Sequence, residues 1–230
     1  MKTIGLIGGM SWESSLEYYR IINTLVKENL GGLHSARCIL HSVDFADIEQ
    51  CQREDRWADA GRMLSEAAQG LERAGAECLL LCTNTMHRVA PEIRSAVGIP
   101  FFHIAQTAAQ AILLQGTRKV GLLGTRYTME GDFYRGELES EGIDVLIPEE
   151  EDRQILNSII FDELCRGVIL PESREKFLAV IRRLQARGAE GIVLGCTEIG
   201  LLLRQDDSPL PLFDTAYLHA KQAVAWALQS

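Results

Sequence analysis

The sequence predicts an α/β fold made of two pseudo-symmetric, Rossmann-like lobes, each built on a parallel sheet. Three observations carry this. Short apolar runs of β type alternate with longer amphipathic stretches, many of those runs are apolar throughout, and the second half of the chain repeats blocks of the first in the same order.

The β runs fall at residues 3–7, 38–43, 78–82, 100–103, 119–123, 145–147, 191–194 and 211–213. Between them, stretches such as 59–74 and 174–187 place apolar residues at steps of three and four, the spacing of one buried helix face. A strand covered on both faces needs no polar alternation, so an all-apolar run fits a parallel strand sandwiched between helices.

The repeat is read block by block. Lys2-Thr3-Ile4-Gly5-Leu6-Ile7-Gly8 is answered by Arg118-Lys119-Val120-Gly121-Leu122-Leu123-Gly124, and the aromatic pair Tyr18-Tyr19 by Phe133-Tyr134. Gly75-Ala76-Glu77 returns as Gly188-Ala189-Glu190, and Pro100-Phe101-Phe102-His103 as Pro211-Leu212-Phe213-Asp214. Because both Gly-Ala-Glu blocks lie eight residues ahead, counted from their glycine, Thr83 and Cys196 are counterparts, as are Cys82 and Gly195. Ligands of open α/β sheets lie beyond the carboxyl ends of the strands, so two such lobes facing each other would share a cleft lined by these ends.

At 230 residues, with 47% hydrophobic and 24% charged residues, the composition is that of a globular protein. No apolar run approaches the ~20 residues of a membrane helix, and the first residues read as a strand rather than a signal peptide, so the cytoplasm is the expected location. A net charge of −9 disfavours a sequence-independent grip on nucleic acid. It leaves an anionic small substrate open, because the local potential of a pocket can differ from that of the whole molecule. The six cysteines contain no CxxC pair, so no common zinc site is expected. Cys38 and Cys78 read as buried packing residues in apolar runs.

Cys196 does not. Thr83-Asn84-Thr85-Met86-His87 and Cys196-Thr197-Glu198-Ile199-Gly200 each read as a strand end, a polar loop and a helix start. Such a place gathers backbone N–H groups and hydroxyls that suit a carboxylate, and it is expected to lower the pKa of a thiol. A third loop of this kind, Gly8-Gly9-Met10-Ser11, follows the first strand; it has neither dinucleotide-fingerprint spacing nor a phosphate-loop lysine.

With these residues in view, the segments 80–87 and 193–200 resemble the two signatures of the aspartate/glutamate racemase superfamily, and the 8–11 loop is similar to that family's first substrate loop. The likeness spans nearly the whole chain. It implies two α/β lobes, residues 1–104 plus 215–230 and residues 105–214, with a C-terminal helix returning to the first lobe. It further implies a substrate between the lobes, no pyridoxal phosphate or metal, and by analogy a homodimer. The family mechanism sets one cysteine on each face of the substrate α-carbon. Here Cys196 fills one position and Thr83 the other, and resemblance implies that the second-lobe cysteine handles the L substrate.

A threonine hydroxyl is not appreciably ionised near neutrality, so a lopsided racemase of aspartate or glutamate that prefers the L enantiomer is expected. The binding candidates are Met10, Ser11, Gln52, Asn84, Thr85, Thr197 and Glu198, with Arg53 and Arg166 for a distal carboxylate. Helix capping competes for Asn84, Thr85 and Thr197, and Glu198 equally suits a helix first turn. Cys82 rivals Thr83 as the first-face acid, although one step along a strand reverses the side chain. His87 reads first as a helix-face residue, and the acidic run 149–152 as a solvated turn and helix start. The alternatives are a broad-specificity amino-acid racemase, a single-cysteine decarboxylase or isomerase of the superfamily, and a binding module without catalysis.

Overall fold

The computed structural model describes residues 1–229. They divide into two compact units: Met1–His103 joined by the segment from His219 onward, and Ile104–Leu218. The first unit holds β1 (Ile4–Gly8), α1 (Trp12–Leu30), β2 (Cys38–Ser42), α2 (Phe45–Arg53), α3 (Trp57–Arg73), β3 (Cys78–Leu81), a 3-10 turn (Thr85–Val89), α4 (Ala90–Ser95) and β4 (Phe101–Phe102). The second holds α5 (Ile104–Leu114), β5 (Lys119–Leu123), α6 (Arg126–Glu130), α7 (Asp132–Ser140), β6 (Asp144–Leu146) and α8 (Glu150–Asp162). A 3-10 turn (Leu164–Arg166), α9 (Pro171–Ala186), β7 (Gly191–Leu194), α10 (Ile199–Leu202) and β8 (Leu212–Asp214) complete its sheet. The unit boundary falls inside α11 (Thr215–Leu228).

Each unit has one parallel four-stranded sheet, and the two sheets share one topology: β2-β1-β3-β4 and β6-β5-β7-β8. The middle strands β1, β3 and β7 are buried at every residue, as their unbroken apolar runs require. The edge strand β2 departs from the expectation. With a neighbour on one side only, it leaves Leu40, His41 and Ser42 exposed and Cys38 half-buried. Helices α3 and α9 bury the face written in their sequences: Ala60, Leu64, Ala67, Ala68 and Leu71 in one, Phe177, Val180, Ile181 and Leu184 in the other.

The repeated Gly-Ala-Glu block has a mechanical explanation. Gly75 and Gly188 each end a helix at φ 96° and φ 95°, a left-handed conformation that suits glycine. The alanine N–H then bonds back to the helix, Ala76 to Leu71 O and Ala189 to Leu184 O. The glutamate clamps the start of the neighbouring middle strand: Glu77 accepts the Thr3 N–H at 2.7 Å, and Glu190 accepts those of Arg118 and Lys119 at 2.8 and 3.2 Å. Helix end and strand start are thereby joined through one tripeptide in both units.

The repeat also exposes a mismatch. The register that pairs Ile4 with Val120 pairs Tyr18 with Tyr134, and the register that pairs Phe102 with Phe213 pairs Ala108 with His219. In the first unit the fully buried Tyr18 hydroxyl donates to His219 Nδ1 at 2.8 Å, while His219 Nε2–H donates to Phe102 O at 2.8 Å. In the second unit Ala108 stands at the histidine position, and the buried Tyr134 hydroxyl has no hydrogen-bond partner among the described residues. Removing an unsatisfied buried hydroxyl stabilises, whereas removing one of a bonded pair strands the other. Tyr134→Phe is therefore expected to raise the unfolding free energy by about 1 kcal/mol and Tyr18→Phe to lower it by about 1–3 kcal/mol. Urea denaturation of the two variants checks this, and shifts of the same sign would refute it.

Candidate active site

In the first unit the candidate residues gather at the carboxyl end of the sheet. The chain leaves β1 through Gly9, whose φ of 98° and close approach to Val43 O exclude a side chain. Ser11 caps α1 by accepting the Ser14 N–H at 3.3 Å, and Ser15 Oγ accepts the Gly9 N–H at 2.8 Å. Ser14 Oγ donates to Cys82 O at 3.1 Å, which ties this loop to the residue before Thr83. Met10 is buried in the apolar cluster with Ile48 and Cys51. Gln52, on α2, is buried and donates from Nε2 to Met86 Sδ at 2.8 Å.

Thr83 is 8% exposed. Its N–H donates to Leu81 O at 2.9 Å, and its carbonyl accepts from His87 Nδ1 at 2.7 Å, which places the Nδ1 proton. Asn84 is buried, and Thr85 opens the 3-10 turn. Cys82 is fully buried and burial pushes its thiol far above the ordinary range, the behaviour of a packing residue.

His87, on the 3-10 turn Thr85–Val89, is buried in an aromatic cluster. Its ring centroid lies 4.7 Å from that of His103 and 5.7 Å from that of His219. Burial first, then the other two imidazoles, hold His87 well below the usual histidine range. Burial likewise depresses His219, to about 3.

In the second unit Cys196 follows β7 and is 8% exposed. Its thiol donates to Glu198 Oε2 at 2.9 Å, and the Thr197 hydroxyl donates to the same oxygen at 2.8 Å. Thr197 and Glu198 are both buried. Here the expected lowering of the thiol is reversed. Burial chiefly, then the negative charge of Glu198, pushes Cys196 well above its ordinary value, and the helix that follows has only four residues with which to oppose them. The resting state is a thiol bonded to a carboxylate.

The exposed Arg53 pairs with Glu49 at 3.2 Å, and the exposed Arg166 lies 4.0 Å from Asp162. The acidic run does form a helix start, with Asp152 and Glu149 paired to Arg183 and Arg187. A loop that sequence reading passed over, Gly124–Thr128, stands after β5 as Gly8–Trp12 stands after β1. Its Thr125 is buried and caps α6 by accepting the Thr128 N–H at 3.3 Å. The repeat register that pairs Gly8 with Gly124 was the signal for it. Among the described residues no group of three or more His, Cys, Asp or Glu side chains is placed to hold a metal ion, and no helix is long and apolar enough to cross a membrane.

Two parallel four-stranded sheets of one topology, with a buried hydrogen-bonded cysteine beyond one strand end, agree with an enzyme that racemises amino acids, and the family assignment is what names that class. The chain belongs to the Asp/Glu/hydantoin racemase family, which it matches over residues 7–223. A candidate Asp/Glu racemase from Yersinia pestis shares 54% identity and a TM-score of 0.93, with 100% of each chain covered. An aspartate racemase homologue from Pyrococcus horikoshii OT3 shares 36% identity and a TM-score of 0.89, again with 100% of each covered. The broad specificity amino-acid racemase RacX of Bacillus subtilis (strain 168) is 25% identical over 167 residues, 71% of this chain and 70% of RacX. The chain is thus an amino-acid racemase of the Asp/Glu type.

Proposed function

We propose that the chain racemises aspartate or glutamate without a cofactor and takes the L enantiomer by preference. The observation that carries this reading is the Cys196 thiol donating to the Glu198 carboxylate at 2.9 Å. A carbon acid as weak as an amino-acid α-hydrogen calls for a strong, desolvated base, and a buried thiolate is one. Glu198 accepts the thiol proton, and the thiolate then takes the α-hydrogen of the L substrate. Because burial holds the thiol high, the thiolate once formed is a stronger base than an exposed one.

Thr83 serves the opposite face. It returns a proton relayed from solvent to the planar carbanion, and as an alcohol it is a poor base in the reverse sense. Ser11, Asn84, Thr85 and Thr197 supply hydroxyl, amide and backbone N–H groups for the α-carboxylate and ammonium. Met10 and Gln52 bound the side-chain end. The broader reading, racemisation of many amino acids, draws on the likeness to RacX.

Exchange of the α-hydrogen in D2O, measured with both enantiomers across a panel of amino acids, tests the proposal. Rapid wash-out from L-aspartate or L-glutamate and at least ~10²-fold slower wash-out from the D forms is expected. Thr83→Cys is expected to raise the slow direction tenfold or more. Equal wash-out from both enantiomers in the unsubstituted protein contradicts the asymmetry, and exchange spread over many side chains favours the broader reading.

A further inference from the structure

Both main-chain groups of Thr83 are held where the chain leaves β3. The N–H donates to Leu81 O at 2.9 Å, and the carbonyl accepts His87 Nδ1–H at 2.7 Å. The peptide planes on either side of its α-carbon are thereby pinned. A β-branched side chain has few χ1 positions left, so the direction of the hydroxyl follows from these two bonds. The repeat shows that the second bond is peculiar to the first unit. Register pairs Thr83 with Cys196 and His87 with Gly200, and Cys196 O is met from the main chain, by the Ile199 N–H at 3.1 Å. Gly200 has no side chain to offer, and a Cβ there would lie 2.6 Å from Asp214 Oδ2. The imidazole that serves Thr83 is itself fixed by β4 and α11. Its ring lies edge-on to His103 at 4.7 Å, and 5.7 Å from both Phe101 and His219. His219 is held in turn by the Tyr18 hydroxyl and by Phe102 O, each at 2.8 Å. The His87 ring therefore cannot swing away from Thr83 without opening the cluster.

We infer that His87 is a positioning residue for the reaction: its Nδ1–H fixes the Thr83 carbonyl and so aims the Thr83 hydroxyl at the substrate face it serves. The inference rests on the role given to Thr83 in the proposed function. Its consequence is specific to one face. Removal of the L α-hydrogen by Cys196 does not need Thr83, whereas completing the inversion does. With the hydroxyl displaced, the carbanion takes a solvent-derived deuteron back on the Cys196 side, and the L substrate exchanges its hydrogen without becoming D. The diagnostic quantity in D2O is the rate of L-to-D conversion divided by the rate of α-hydrogen wash-out from L. A partly unfolded sample lowers both rates equally and leaves this ratio alone.

His87→Leu fills most of the space of the ring without a donor, whereas His87→Asn keeps an N–H near the place of Nδ1. The ratio is expected to fall at least about tenfold in His87→Leu and to stay within about threefold of the unsubstituted protein in His87→Asn. Thr83→Val, which lacks the hydroxyl, should lower the ratio at least as far as His87→Leu. An unchanged ratio in Thr83→Val overturns the role of Thr83, and this inference with it. A lowered ratio in Thr83→Val beside an unchanged one in His87→Leu overturns the positioning role alone, as does a fall in His87→Asn equal to that in His87→Leu. Should these variants not fold, nitrogen-15 NMR of the unsubstituted protein, with the His87 ring identified by its contact with Phe101, decides the matter. The proton is expected on Nδ1, and a ring protonated only on Nε2 overturns the inference.

Discussion

Cys196→Ala is expected to abolish α-hydrogen exchange from the L substrate, with a loss of at least about 10³-fold, while Glu198→Gln loses about 10²-fold. The two effects have different physical origins. Alanine removes the base itself. Glutamine keeps a group of the same shape beside Cys196 and Thr197 but no longer offers a charged acceptor for the thiol proton. In Glu198→Gln the thiol also loses the carboxylate that raises it, so the alkaline limb that reports its ionisation is expected to move to lower pH. Stopped exchange in D2O and a pH–rate profile check both statements. Full turnover in Cys196→Ala, or an unmoved limb in Glu198→Gln, would remove the thiol–carboxylate pair from the mechanism.

The second large effect concerns stability in acid. His87 and His219 are buried and held neutral in the folded first unit, with His219 depressed to about 3, while the unfolded chain titrates near 6.5. A histidine whose folded pKa is lowered contributes stability that is fully present above 6.5 and is lost as pH falls from 6.5 toward the folded value. His219 is expected to cost about 1.4 kcal/mol per pH unit below that point, so about 2 kcal/mol is lost by pH 5, and His87 adds to the loss in the same direction. Trp12, Trp57 and Trp226 all belong to the first unit, so tryptophan fluorescence in urea reports this unit. Unfolding well below pH 6.5 should take up protons at these histidines, and His219→Asn should reduce the uptake by about one. A stability flat between pH 7 and pH 5 would be incompatible with a buried neutral pair.

Much of the fold was legible because burial on two faces leaves a simple trace. The runs at 119–123 and 191–194 coincide with β5 and β7, and those at 3–7 and 78–82 fall within one residue of β1 and β3. Edge position is not written the same way: Cys38-Ile39-Leu40 reads as apolar as any middle strand, yet β2 has only one neighbour. The sequence names candidate residues for the site but not their electrostatics. That Cys196 follows a strand is plain from spacing, but its pKa depends on which way the Glu198 carboxylate turns, a side-chain rotamer that no sequence pattern states. The histidine cluster was invisible for another reason. His87, His103 and His219 come from three separate elements, and only the tertiary fold brings them into ring contact.

The division of the chain inside α11 bears on the order of synthesis. The second unit is one contiguous stretch, so every part of it has been synthesised by Leu218. The first unit, begun earlier, still lacks the segment from His219 onward, which supplies the partner of Tyr18 and the Ala227 carbonyl that receives the Lys2 N–H at 2.9 Å. Synthesis thus completes the later unit before the earlier one has its last segment, and a released chain truncated before His219 keeps all of the second unit while Tyr18 of the first lacks its histidine partner.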